Sequence, residues 1–170
     1  MVHIGCMTNF PSLSSRHLRT GRRSVPGQLY LITTVTRQRQ PCFLNTDLAR
    51  LAARSLSDAE HWHPSRCLCW VLMPDHWHGL VELGSDVDLS TTVQRVKGIT
   101  ARIVGLHDDS VRPLWDCGFH DHALRREESI QEAARYIIAN PVRAGLVKDP
   151  MDYPYWDAYF VDGTTCLEGT

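Results

Sequence analysis

The sequence predicts an α+β fold built on an antiparallel sheet, and three observations carry that prediction. Leu29 to Thr36 is a β-branched run with Leu29, Leu31, Thr33 and Val35 on one face and Tyr30, Ile32, Thr34 and Thr36 on the other. Two apolar runs, Cys67 to Met73 and Trp77 to Leu83, flank Pro74-Asp75 and are too short for good helices, so they read as the arms of a hairpin. Apolar residues at helical spacing lie before and after that hairpin. At 170 residues the chain has the length of one ordinary domain and can bury a real core.

In order along the chain, residues 1–25 show no periodicity and carry Gly, Ser, Pro and Arg, which marks an irregular basic arm ahead of a domain over 26–150. After the first strand Pro41 stops further extension, and Asn45 or Thr46 can cap a helix. Its apolar positions Leu48, Leu51, Ala52 and Leu56 run it to about Glu60. The hairpin follows. Asp88 to Ser90 offers capping chemistry for a second helix, Leu89 to about Val104, with Val93, Val96, Ile99 and Ile103 toward the core. A short strand is expected around Phe119 to Leu124, then a third helix from Glu127 to Ala139 with acids in its first turn, as the helix dipole favours. Asn140-Pro141 ends that helix, because a residue before proline is pushed out of the helical region. At about 100° per residue its buried stripe is Ile130, Ala134, Ile137 and Ile138. Residues 151–170, with Tyr153, Tyr155, Trp156 and Tyr159, read as a C-terminal tail packing aromatics onto the body. The order strand, helix, strand, strand, helix, strand is that of a ferredoxin-like sandwich with its helices on one face, to which a C-terminal helix is added.

Composition narrows the function. Hydrophobic content of 43% and charged content of 22% are those of a globular chain. No apolar run approaches the roughly 20 residues of a membrane span, and the N-terminus lacks the apolar stretch of a secretory signal. Six cysteines form no Cys-x-x-Cys pair; Cys67 and Cys69 share one strand face, and buried free thiols fit a reducing cytosol. A cytoplasmic protein is expected. The 18 basic and 19 acidic residues leave a net charge of −1, so no overall excess announces a nucleic-acid binder. The basic residues are clustered, however: Arg16, Arg19, Arg22 and Arg23 occupy one acid-free stretch, and Arg95, Lys97 and Arg102 another. Such patches can neutralise phosphates, or can simply be solvated surface.

The chemistry centres on His76-Trp77-His78. Side chains alternate along a strand, so both imidazoles point one way, about 7 Å apart along the strand, and Trp77 points the other. Two nitrogen ligands suit a divalent metal but do not complete a site. On the third helix Tyr136 and Asn140 are four residues apart and share a face. Tyr136 falls off the centre of the buried stripe, and the Asn140 amide oxygen is a hard ligand, compatible with Mg²⁺ or Mn²⁺. If that helix lies against the sheet, two histidines and one asparagine can hold a metal beside a tyrosine hydroxyl. Asn before Pro is also an ordinary helix terminator, and Asp75 after Pro74 an ordinary turn residue.

His76-Trp77-His78 fits the His-hydrophobic-His pattern of the HUH single-strand endonucleases. An ordered series of further stretches, Gly21 to Ser24, Pro26 to Thr36, Met73 to His78, Val96 to Arg102, Trp115 to Arg125 and Tyr136 to Val147, resembles the REP-associated tyrosine transposases. The resemblance implies that Tyr136 is the nucleophile, on a C-terminal helix, and that Asn140 joins His76 and His78 as a ligand of Mg²⁺ or Mn²⁺. It implies cleavage and rejoining of single-stranded DNA beside hairpin-forming palindromic repeats through a 5′-phosphotyrosine. A free tyrosine titrates near 10, so a base or the metal must assist. Arg22, Arg23, Lys97, Arg102 and Arg143 are the expected DNA contacts, and a monomer is expected. Two other readings compete: a domesticated relative that binds palindromic DNA without turnover, and a zinc hydrolase that unites His76 and His78 with the second pair, His120 and His122. Tyr153, Tyr155 and Tyr159 are rival nucleophiles whose aromatic, proline-containing setting favours packing.

Overall fold

The computed structural model describes residues 24–125 and 128–159. Its sheet has five antiparallel strands: β1 (Leu29–Val35), β2 (Arg66–Met73), β3 (His76–Glu82), β4 (His120–Ala123) and β5 (Trp156–Ala158), in the spatial order β4-β1-β3-β2-β5. The first four strands have the order of a ferredoxin-like sandwich, and β5 extends it at the β2 edge. The tail expected only to pack aromatics therefore contributes backbone pairing as well, while Tyr159 is left exposed. Among the described residues no helix is long and apolar enough to cross a membrane.

One face of the sheet carries helices α1 (Thr46–Ser57), α2 (Ala59–Trp62) and α3 (Leu89–His107). Tyr30, Ile32, Trp70, Leu72, Trp77 and Val81 of the strands pack there with Leu48, Ala52, Leu56, Val93 and Val96 of the helices. Asn45 caps α1 by accepting from Asp47 N and Leu48 N. The helix expected to reach Glu60 stops at Ser57 because Asp58 is itself a cap, accepting from Glu60 N and starting α2.

The other face is covered, among the described residues, chiefly by α4 (Ile130–Ile138), whose Ala134, Ile137 and Ile138 pack with Cys69, Val71, Met73 and Leu80. It starts later than Glu127. Ser129 caps it through Glu132 N, and Glu128 turns back to Arg125 N and His122. Ile130, expected in the buried stripe, is consequently 37% exposed in the first turn. The third helix does end beside Asn140-Pro141, at Ile138, but Asn140 is not pushed out of the helical region. After Ala139 a short helix α5 (Asn140–Arg143) follows with Pro141 in its first turn, where a missing N–H costs nothing. Cys67 and Cys69 do not share a face: a bulge between them turns Cys67 toward the α1–α3 layer and Cys69 toward α4.

Trp77 fixes β3 in this sandwich. Its side chain is 1% exposed and stacks on Trp62 at 5.5 Å between ring centroids. The indole lies over Gly79, where a Cβ would meet the ring at 2.1 Å. Only glycine leaves that space. Gly79→Ala should lower stability by roughly 1–3 kcal/mol, the usual penalty for forcing extra atoms into a packed core. An unchanged urea midpoint would contradict the packing described.

Candidate active site

With Trp77 committed to one layer, His76 and His78 emerge on the face that α4 covers. Their rings meet edge to face with centroids 4.7 Å apart. Each ring is held through Nδ1. His76 Nδ1 bonds Asp75 Oδ1 at 2.5 Å, and His78 Nδ1 lies 2.7 Å from Thr33 Oγ1 on β1, its direct partner in the register. The Asp75 carboxyl is held below the usual carboxylate range, first by its hydrogen bond with His76 and further by Arg39, whose guanidinium lies 3.2 Å from Oδ2. An ionised carboxylate only accepts, so His76 Nδ1–H donates, and in the neutral ring Nε2 keeps its lone pair. Burial, reinforced by the neighbouring His76, Arg39 and Arg143, pushes His78 down to about 3. It is a neutral imidazole at physiological pH, the form that ligates metals.

Tyr136 and Asn140 lie where α4 ends and α5 begins. Tyr136 is half-buried, and the Arg143 guanidinium lies over its ring, 4.3 Å from the centroid. Arg143 also adds the last and smallest of the electrostatic effects that lower His78. Asn140 Nδ2 donates to the Tyr136 carbonyl at 3.0 Å and the Ile137 carbonyl at 3.1 Å. It therefore does terminate α4, as its position before proline allowed. Two carbonyl partners can be served only by the amide NH₂, so Oδ1 faces away from the helix end and keeps its acceptor capacity. Two imidazole nitrogens and one amide oxygen are a donor set that fits a divalent cation.

Other expected site residues lie elsewhere. Lys97 and Arg102 sit on α3, in the opposite layer, and line a cleft of about 590 Å³ with Arg112, Leu114 and Trp115. The Lys97 ammonium is engaged there, donating to the carbonyls of Asp116 and Gly118. Arg22 and Arg23, and most of the basic arm, lie outside the described residues. Of the second histidine pair, His120 pairs with Thr33 across β1, in one row with His78 but exposed. His122 Nε2 is 3.0 Å from Glu128. Among the described residues no three His, Cys, Asp or Glu side chains converge as a metal-holding group, which leaves the four-histidine zinc site without geometric support. Thr33, Arg39 and the ligand-orienting role of Asp75 were not read from the sequence. Thr33 depends on a register joining positions 45 residues apart, for which no local signal exists.

The chain was compared with known families, proteins and structures. The family model described as "Transposase IS200 like" matches residues 24–140. The chain is 27% identical to a REP-associated tyrosine transposase of Escherichia coli K12, over 79% of this chain and 78% of the relative. A solved REP-associated tyrosine transposase bound to a REP hairpin superposes with a TM-score of 0.63 at 26% identity, covering 79% of each chain. A Deinococcus radiodurans protein solved as a candidate transposase, at 17% identity and a TM-score of 0.52, covers 74% of this chain and 90% of its own and shares the fold.

The His78 environment has a consequence for stability. The ring titrates at about 6.5 when unfolded and about 3 when folded. Below its ordinary value the unfolded chain gains a proton that the folded chain refuses, so stability falls as pH drops from about 6.5 toward 3. Thermal melts in metal-free buffer should show that fall. His78→Gln, which removes the titrating group, should make it shallower, and an unchanged slope in the variant would contradict the assignment.

Proposed function

The chain belongs to the IS200-like transposase family, and from that membership we propose that it cleaves and rejoins single-stranded DNA at hairpin-forming palindromic repeats, using a divalent cation and a tyrosine nucleophile. The observation that supports this reading is the His76–His78 pair on the sheet face that α4 covers, with Tyr136 on that same helix stacked under Arg143. The hairpin substrate follows from the relative solved with a REP hairpin.

His76, His78 and Asn140 would hold Mg²⁺ or Mn²⁺. When bound, that cation would act as a Lewis acid on the scissile phosphate, offsetting negative charge in the transition state and orienting the group. Asp75 and Thr33 keep the two imidazoles in fixed orientations, and His78 needs no proton removed before it can ligate. Tyr136 Oη attacks phosphorus in line. The new O–P bond forms as the P–O3′ bond breaks, the electron pair leaves on the 3′ oxygen, which takes up a proton, and the phenolic proton passes to solvent or a base. The products are a 5′-phosphotyrosine and a free 3′-OH. Attack by a second 3′-OH reverses the step and joins strands without ATP. Arg143 holds the Tyr136 ring and adds positive charge where the phosphate must approach.

The same reading makes Arg22, Arg23, Lys97, Arg102 and Arg143 the groups that meet DNA phosphates, with the ammonium of Lys97 also bracing the 116–118 segment. It treats residues 26–150 as the catalytic unit, with an arm before it and a tail after it. It has the protein acting as a monomer in the cytoplasm, where its DNA lies. A binder without turnover would need neither the histidine pair nor Tyr136.

Purified protein with a labelled single-stranded hairpin oligonucleotide should give a cleaved strand and a covalent protein–DNA band in Mn²⁺ or Mg²⁺, and neither in EDTA. Tyr136→Phe should abolish both, and Arg143→Ala should slow cleavage on the order of a hundredfold. Binding without cleavage in either metal would select the non-catalytic binder. Affinity for the hairpin should fall steeply with salt, as phosphate neutralisation requires; a flat salt response would remove the phosphate-contact assignments.

A further inference from the structure

The segment between β1 and α1 carries a feature that the proposed chemistry does not use. Gln38 and Arg39 lie in the left-handed backbone region, at φ 53° and 54°, where non-glycine residues are strained and tend to mark functional segments. The segment is nevertheless firmly held. Arg39 N donates to the Thr36 carbonyl at 3.0 Å, and Thr36 Oγ1 lies 2.7 Å from the Gln40 carbonyl. It is also stitched to the Pro74-Asp75 turn from both sides, by Thr36 N to the Asp75 carbonyl at 2.9 Å and Phe43 N to the Pro74 carbonyl at 3.1 Å. The result of this strained arrangement is that Arg39 NH1 reaches Asp75 Oδ2, while Asp75 Oδ1 takes His76 Nδ1.

We propose that Arg39 is a positioning residue: its guanidinium fixes the Asp75 carboxylate, and through it holds His76 in the tautomer whose Nε2 keeps its lone pair. This deepens, and rests on, the metal-binding reading of His76 and His78. The stability of the pair alone does not explain it. Arg39 is 65% exposed, and exposed ion pairs add little to stability. Orientation is a different matter. A carboxylate with both oxygens engaged cannot rotate, and as an acceptor only it accepts one imidazole tautomer and rejects the other. Supports of this kind behind a metal-ligating histidine typically change metal affinity by about 10- to 100-fold when removed.

The test uses the metal-free full chain and two variants. Long-range proton–nitrogen spectra, recorded where the imidazole is neutral, should show His76 as a single Nδ1–H tautomer in the wild type. Asp75→Asn supplies an amide that can donate as well as accept, and should give mixed tautomers with Mn²⁺ affinity weakened about 10- to 100-fold. Arg39→Gly relieves the left-handed strain. It should melt no lower than the wild type yet lose the single tautomer and weaken Mn²⁺ binding about tenfold. Arg39→Lys, which keeps the charge, should recover part of both. A His76 that stays in one Nδ1–H tautomer in Asp75→Asn and Arg39→Gly, with Mn²⁺ affinity unchanged, overturns the relay. A wild type that shows the tautomer lock, lost in both variants, but takes up no Mn²⁺ supports the relay and overturns the metal reading, so the two failures are separable.

Discussion

The alternation of side chains along β3 is the constraint on which the rest depends. Trp77 is driven into the α1–α3 layer by burial against Trp62, with Gly79 leaving room for the indole. Because neighbouring strand residues face opposite ways, that commitment expels His76 and His78 to the other face. A slip of one residue would turn two imidazoles into the Trp62 layer and the indole out of it, so the register that builds the core also sets which face carries the histidines. The pairing with β1 adds Thr33 behind His78 at no further cost in folding.

The second face would be bare in a four-stranded sandwich with helices on one side. Here α4 covers it with three apolar side chains, and polar groups gather at its C-terminal end. The join between α4 and α5 holds the three proposed site residues Tyr136, Asn140 and Arg143 within eight residues. Asn140 closes the last carbonyls of one helix while opening the next, and Arg143 returns one turn later to lie on the Tyr136 ring.

Much of this was legible in the sequence where the signal was local. Period-two alternation located β1, the hairpin and the shared face of His76 and His78. Helical spacing located α1, α3 and α4, and the ordered motif series pointed to the family. The errors came where a side chain competed for backbone. Asp58, Ser129 and Glu128 moved helix boundaries by capping or turning back, and a bulge in β2 separated Cys67 from Cys69. Partners distant in sequence were invisible: Thr33 behind His78, Arg39 on Asp75, and the pairing of Trp156–Ala158 with β2 all depend on how the chain closes. Asp75 is the instructive case. It was readable as a turn residue, and it is one, but the same carboxylate orients His76, which no turn statistic could show.

The central claim, that this fold exists to present Tyr136 to a phosphate beside the histidine pair, is tested most directly by identifying the residue that bonds to DNA. A covalent adduct formed in Mn²⁺ with a hairpin oligonucleotide can be trimmed by nuclease, digested with trypsin and sequenced by mass spectrometry. Trypsin releases Tyr136 in the peptide from Tyr136 to Arg143, which contains no other tyrosine. A nucleotide carried on that peptide is the predicted result; a nucleotide on a peptide containing Tyr153, Tyr155 or Tyr159 instead would contradict the account.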